Sequence, residues 1–175
     1  MIKLISLPKS KPYKLFKEFY KQSISLNQPN VEAISISSFD FKKKEVDSRF
    51  VNLKYIKDDK WTFFTNYNSA KASQFLQHDQ ISVVIFWQTI NLQIRLKAKI
   101  HKLEHKENQI YFKNRAFEKN ALSISSHQSE QIESYENVVK KYNKSLNSDN
   151  LFDCPNYWGG YSFVPYYFEF WEGNE

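Results

Sequence analysis

Between Leu92 and Ile100 every second residue is apolar. Leu92, Ile94, Leu96, Ala98 and Ile100 fall on one side, and Gln93, Arg95, Lys97, Lys99 and His101 on the other. A β-strand separates these two sets, because its side chains alternate between faces and a slip of one residue would turn them all over. The chain must therefore build a sheet with one covered face. The stretch ISVVIFW (81–87) just before it is apolar throughout, which predicts a central strand. A third constraint lies at the end, where all three glycines, Gly159, Gly160 and Gly173, sit in the run YWGGYSFVPYYFEFWEGNE. Tyr161–Trp171 reads as a strand with large apolar side chains on both faces. It belongs inside a sheet or at a subunit contact rather than on a free edge.

The rest of the chain fits around these strands. Leu15, Phe16, Phe19, Tyr20 and Ile24 recur at helical spacing over 12–26, with Lys14, Lys17 and Lys21 opposite, and predict an amphipathic helix. Strands are predicted over 31–39, 47–56 and 61–66, and a helix over 68–78 that Asn68 or Ser69 can cap. Helical patterns follow at about 105–114 and 130–146, separated by a polar stretch. The expected architecture is mainly β: one domain over 1–175, an antiparallel barrel with peripheral helices and a helical arm over 1–28.

Composition narrows the function. With 175 residues, 41% of them hydrophobic, the chain can bury a true core. Cys154 is the single cysteine, which predicts a reducing, cytoplasmic setting without an internal disulfide. No apolar run reaches the roughly 18 residues needed to span a bilayer, so no membrane partner is expected. The formal charge is +6, but lysine dominates; Arg49, Arg95 and Arg115 are the only arginines. Readers of nucleic acid favour the arginine fork, so the charge suits a small phosphorylated ligand or a solvated surface better. His101 and His105 share no helical face and predict no metal site. Cys154 has no neighbouring base, and no phosphate-binding glycine loop or nucleophile elbow is present.

Three segments offer the raw material of an anion cradle. Arg49 and Lys54 bracket an apolar strand segment; Ser69 and Lys71 stand where an aromatic strand runs into a helix; Gln128 and Ser129 precede a further helical pattern. Helix starts, hydroxyls and cations together suit a phosphate. Taken singly, capping and solvated charge explain each segment equally well.

In order along the chain stand R-x-V-x-L-K, F-F-T-N-Y-x-S-x-K, F-W, L-Q-I, Y-F-x-x-R, Q-S, W-G-G-Y and E-F-W-x-G. From about Pro29 to Gly173 this series resembles the pyridoxamine 5′-phosphate oxidase family. The resemblance implies a split β-barrel homodimer that binds FMN at the subunit interface. In that family the flavin oxidises pyridoxine or pyridoxamine 5′-phosphate to pyridoxal 5′-phosphate, and oxygen reoxidises it. Carried over by position, FMN is expected to meet Arg49, Phe50, Val51, Asn52, Leu53 and Lys54, then Phe64, Thr65 and Lys71. Gln93 of the other subunit, Gln128, Ser129 and Trp171 complete the set. Arg49, Lys71 and Ser129 suit the flavin phosphate, and Gln93 and Trp171 the ring. Lys54, Tyr111 and Arg115 are expected to hold the phosphate of a B6 vitamer. No catalytic residue is assigned.

The sequence also departs from the family pattern. Ala70 stands where arginine is usual before the helix lysine, Lys119 where a serine joins the substrate phosphate, and Leu122–Ile124 where G-A-W is common. The family continues past E-F-W-x-G with an R-L-H-D-R segment that holds the substrate ring, whereas this sequence stops at Glu175. The resemblance therefore implies a phosphate clamp without the ring clamp, with FMN retained and slow turnover. A different small-molecule substrate, or a flavin- or pyridoxal-phosphate-binding protein without turnover, are the alternatives.

Overall fold

Strand β6 (Leu92–Lys102) buries Leu92, Ile94, Leu96, Ala98 and Ile100 and turns Arg95, Lys97, Lys99 and His101 to water, as its alternation requires. The computed structural model describes residues 1–125, 132, 134–148 and 150–173. Two compact units divide the chain: Met1–Phe64, Gln74–His101 and Tyr161–Glu175 form one, and Thr65–Ser73 with Lys102–Gly160 the other.

The first unit is a barrel. Its strands are β1 (Lys3–Ile5), β2 (Ala33–Asp40), β3 (Glu45–Lys57), β4 (Lys60–Asn66), β5 (Gln80–Trp87), β6 and β7 (Trp158–Glu172). They run in the order β1-β3-β2-β5-β6-β7-β4, and β4 also pairs with β3. That extra pairing closes β3-β2-β5-β6-β7-β4 into a ring, which removes the free edges an open sheet would leave. The closing strand β7 accordingly lies between β6 and β4, inside the sheet.

Register follows the hydrophobic pattern. β5 and β6 pair antiparallel with Val83 opposite Leu96 and Ile85 opposite Ile94, all buried. β2 and β3 pair with Ile34 opposite Val51 and Ile36 opposite Arg49. The β3–β4 ladder shifts register between Leu53 and Tyr55, which places Lys54 at an irregularity. Helix α1 (Lys11–Ser25) carries Pro12 in its first turn, where a missing N–H costs nothing, and buries Tyr13, Phe16 and Tyr20. Phe16 meets Trp61 edge-on at 4.5 Å between centroids, and Trp87 donates its indole N–H to the Val31 carbonyl at 3.1 Å. Each such aromatic, fully buried, contributes about 1.5–3 kcal/mol.

The second unit holds α3 (His105–Lys113), α4 (Phe117–Ser125) and α5 (Tyr135–Leu146), with the start of α2 (Ala70–Gln77). Asn120 is fully buried on α4 and donates to the Phe112 carbonyl of α3 at 3.0 Å. Gly159 answers why a glycine pair opens β7. A Cβ there would run into the Tyr67 hydroxyl and the Asn108 amide. Those groups bond each other at 2.9 Å and hold Gly160 at both ends, Tyr67 on its carbonyl (3.1 Å) and Asn108 on its N–H (2.8 Å). In the barrel unit Gly173 likewise lies against the Asn91 side chain, leaving no room for a Cβ.

Local expectations are corrected in the N-terminal arm and after residue 114. The N-terminal arm contains β1, which pairs parallel to β3, before its helix. The polar stretch after residue 114 contains α4. Ser69 stands at the start of α2, its carbonyl accepting from Ala72 and Ser73, while its hydroxyl donates to the Asn66 carbonyl at 2.7 Å and Asn68 gives its backbone N–H to the Asn66 side chain. Arg115 lies beyond the C-cap Asn114 of α3, not within the helix.

Candidate functional site

Within the barrel unit, Arg49 is the most elaborately held cation. It points from β3 toward β2 and α2, and its side chain is 15% exposed. One terminal nitrogen donates to the Ser38 hydroxyl at 2.6 Å and to the Ile36 carbonyl at 3.4 Å. The other donates to the Gln74 amide oxygen at 2.6 Å and forms an ion pair with Asp47 at 2.6 Å. Burial raises the Asp47 carboxyl, but bonds from Arg49 and Gln74 outweigh it and leave the pKa below the usual value. The sequence reading named Arg49 and missed these partners. Asp47 had a signal, being two residues away on the same strand face; Gln74 and Ser38 had none.

Along β3, Phe50 is exposed, Val51 and Lys54 are half-buried, Asn52 is exposed and Leu53 is buried in the core. Leu53 can therefore offer a ligand only its backbone. Gln93 stands on the outer side of β6 opposite Phe86, half-exposed. Trp171, near the end of β7, is 55% exposed, so its indole is not spent on the core. Phe64 is half-buried on β4.

In the second unit Lys71 is unusual for a lysine, at 8% exposure. Its ammonium donates to the Thr65 hydroxyl at 3.2 Å. A buried cation needs anionic or strongly polar company, so Thr65 and Lys71 together suit an anionic ligand.

Tyr111 and Arg115 meet over Trp158, the tryptophan of W-G-G-Y, to which the sequence assigned no role at the site. The Arg115 guanidinium lies 4.5 Å from the indole centroid, and Tyr111 stacks on the same ring at 6.4 Å with 19° between planes. Arg115 also donates to the Ser123 hydroxyl at 3.1 Å. Burial lowers its pKa, against the opposing pull of Tyr111 and Cys154. A guanidinium half-removed from water and held by an indole and a hydroxyl has a fork suited to an anion. Lys119 is exposed on α4. Gln128 and Ser129 lie outside the described residues.

Cys154 is buried, and burial pushes its thiol up to about 11, against reactivity. Among the described residues no group of three histidines, cysteines or carboxylates is placed to hold a metal. Among the same residues no helix is long and apolar enough to cross a membrane.

Comparison with known proteins places these residues in context. The family model described as pyridoxamine 5′-phosphate oxidase matches residues 26–144. A pyridoxine/pyridoxamine 5′-phosphate oxidase of Coxiella burnetii is 31% identical over 169 residues, covering 95% of this chain and 85% of that protein. The solved structure of PhzG from Burkholderia lata 383, in complex with tetrahydrophenazine-1-carboxylic acid, superposes with a TM-score of 0.84 at 23% identity, covering 95% of this chain and 82% of that one. A pyridoxamine 5′-phosphate oxidase-related, FMN binding protein of Nostoc punctiforme PCC 73102 gives 0.76 at 9% identity, covering 93% and 84%. These two likenesses are likenesses of fold, the split barrel.

Proposed function

The chain belongs to the pyridoxamine 5′-phosphate oxidase family, and we propose that it binds FMN and oxidises pyridoxamine or pyridoxine 5′-phosphate to pyridoxal 5′-phosphate with oxygen as acceptor. The observation that carries this reading is the meeting of Arg115 and Tyr111 over Trp158, the two residues that the family resemblance assigns to the substrate phosphate.

The donor set fits FMN. Arg49 and Lys71 are cations kept largely from water, each already bonded to hydroxyls, and a phosphate dianion is the chemistry such groups serve. Bound FMN would supply the two-electron acceptor for the hydride leaving the substrate carbon, with oxygen as the final oxidant and hydrogen peroxide as its product. The chain's residues do the rest. Arg49, Lys71 and Thr65 hold the flavin phosphate, and the β3 backbone from Phe50 to Leu53 lines the cofactor. Gln93 and Trp171 present an amide and an indole to the ring, while Phe64 packs beside it. Lys54, Tyr111 and Arg115 fix the vitamer phosphate, with Lys119 supplying further positive charge. Fixing that end restricts how the reacting carbon can move.

The active form proposed here is a homodimer. Val46, Phe50, Phe86 and Trp171 are 70%, 77%, 54% and 55% exposed in the barrel unit, large apolar side chains that a partner could cover. A second copy covering it would bring Gln93 toward the flavin held mainly by the other subunit.

A reading with the same fold and flavin but another small molecule draws on PhzG, whose solved complex holds a phenazine acid. Steady-state assay separates the two. FMN-loaded protein is incubated in air with pyridoxamine phosphate, pyridoxine phosphate and their unphosphorylated forms, and pyridoxal phosphate and hydrogen peroxide are measured. Turnover of the phosphorylated forms alone is expected. A protein that binds FMN yet yields no pyridoxal phosphate points to the other substrate.

A further inference from the structure

We propose that Asp47 is a resident counter-anion for Arg49, and that it sets how strongly the chain selects a flavin that carries a phosphate. The proposal rests on the assignment of Arg49 to the FMN phosphate made above.

Asp47 and Arg49 are two apart on β3 and so share one face of the strand; their ladder partners are Ser38 and Ile36. The carboxylate bonds the guanidinium at 2.6 Å. Ser38, Ile36 and Gln74 take the other bonds of the two terminal nitrogens, so each of those nitrogens already serves two acceptors. Asp47 also receives the Gln74 amide N–H at 3.3 Å, which turns the amide oxygen toward Arg49.

Exposure shows the order of approach. Arg49 is 15% exposed and Asp47 50%, so the carboxylate is the solvent-side member of the pair. A phosphate reaching Arg49 must displace that carboxylate or share the guanidinium with it. Displacement gives up a charge-assisted bond, and sharing sets like charges side by side. Riboflavin has no phosphate and meets neither cost. Removing the charge at position 47, while Ser38 and Gln74 still hold Arg49, should therefore favour FMN and leave riboflavin alone. A purely structural Asp47 would move both ligands together.

The test is titration of FMN and riboflavin into the full chain freed of flavin, followed by flavin fluorescence, for wild type, Asp47→Asn, Asp47→Ser and Arg49→Ala. Thermal midpoints are measured on each. In both Asp47 variants the FMN Kd should fall about 3- to 10-fold, while the riboflavin Kd stays within about twofold. In Arg49→Ala the preference for FMN should collapse. An unchanged or reduced preference in both Asp47 variants, with wild type still preferring FMN, would overturn the proposal and make Asp47 a structural pin. Equal binding of FMN and riboflavin by wild type would instead overturn the assignment of Arg49 to the phosphate, and the proposal with it.

Discussion

The Arg115 guanidinium carbon lies over Trp158, 4.5 Å from the ring centroid, while Tyr111 stacks on the same indole. The indole thus offers the cation its electron-rich face and screens it from water. Arg115→Lys keeps the charge but loses the fork and the stack. KM for pyridoxamine phosphate should rise about 10-fold or more with a smaller change in kcat, because the lost contact is made equally before and during the reaction. FMN affinity should not move. An equal fall in kcat without a change in KM would place Arg115 elsewhere in the mechanism.

Gly159 gives a stability prediction. Its missing Cβ is the space taken by the Tyr67 hydroxyl and the Asn108 amide, and both are pinned by Gly160. Gly159→Ala should cost about 1–3 kcal/mol of unfolding free energy in urea titration. Adding Tyr67→Phe should recover part of that loss, since the hydroxyl is the nearest obstacle. No recovery would mean that the alanine acts through the backbone.

Cys154 should be chemically silent in the native state. Burial lifts its thiol to about 11, and the sulfur donates to the Trp158 carbonyl at 3.5 Å. A raised folded-state pKa means the contribution is whole below the unfolded value and is lost as pH climbs from there toward about 11. Alkylation by iodoacetamide at pH 8 should be slow for native protein and fast in denaturant. Replacing Cys154 with alanine should flatten the fall of stability above pH 9, a value near the ordinary thiol pKa. Rapid native labelling would contradict this account of the thiol.

Long periodic elements were legible in the sequence, and short or context-dependent ones were not. β6 declared itself because five apolar residues alternate along it, and the register that resulted buries all of them. β7 was readable as an interior strand because both its faces are aromatic near the middle. β1 escaped because three residues carry no period; its place comes from the parallel ladder with Tyr55–Lys57. α4 escaped because its buried face includes Asn120, a polar residue whose amide N–H bonds a carbonyl of another helix. The same division holds at the candidate site. Arg49, Lys71, Tyr111 and Arg115 stood in recognisable order, whereas Ser38, Gln74 and Trp158 bear on them only through folding. The end of α3 was legible too: a helical pattern over about 105–114 meets a helix whose C-cap is Asn114, with Arg115 just beyond it.

Assembly can be tested at the exposed phenylalanine of β3. Phe50 is 77% exposed, and a second copy is proposed to cover it. Phe50→Asp should shift sedimentation from dimer toward monomer at micromolar concentration and weaken FMN in parallel, because the flavin would lose the contacts of the other subunit. A variant that stays dimeric with unchanged FMN affinity would remove this face from the interface.

The central claim is that this chain brings a phosphorylated B6 vitamer and FMN together for oxidation. Anaerobic mixing of the FMN-loaded protein with pyridoxamine phosphate tests it in a single turnover. The visible absorbance of the oxidised flavin should bleach with pyridoxamine phosphate and return on admission of air. Pyridoxamine without its phosphate should leave it nearly unchanged. A flavin that stays oxidised with saturating pyridoxamine phosphate would contradict the account.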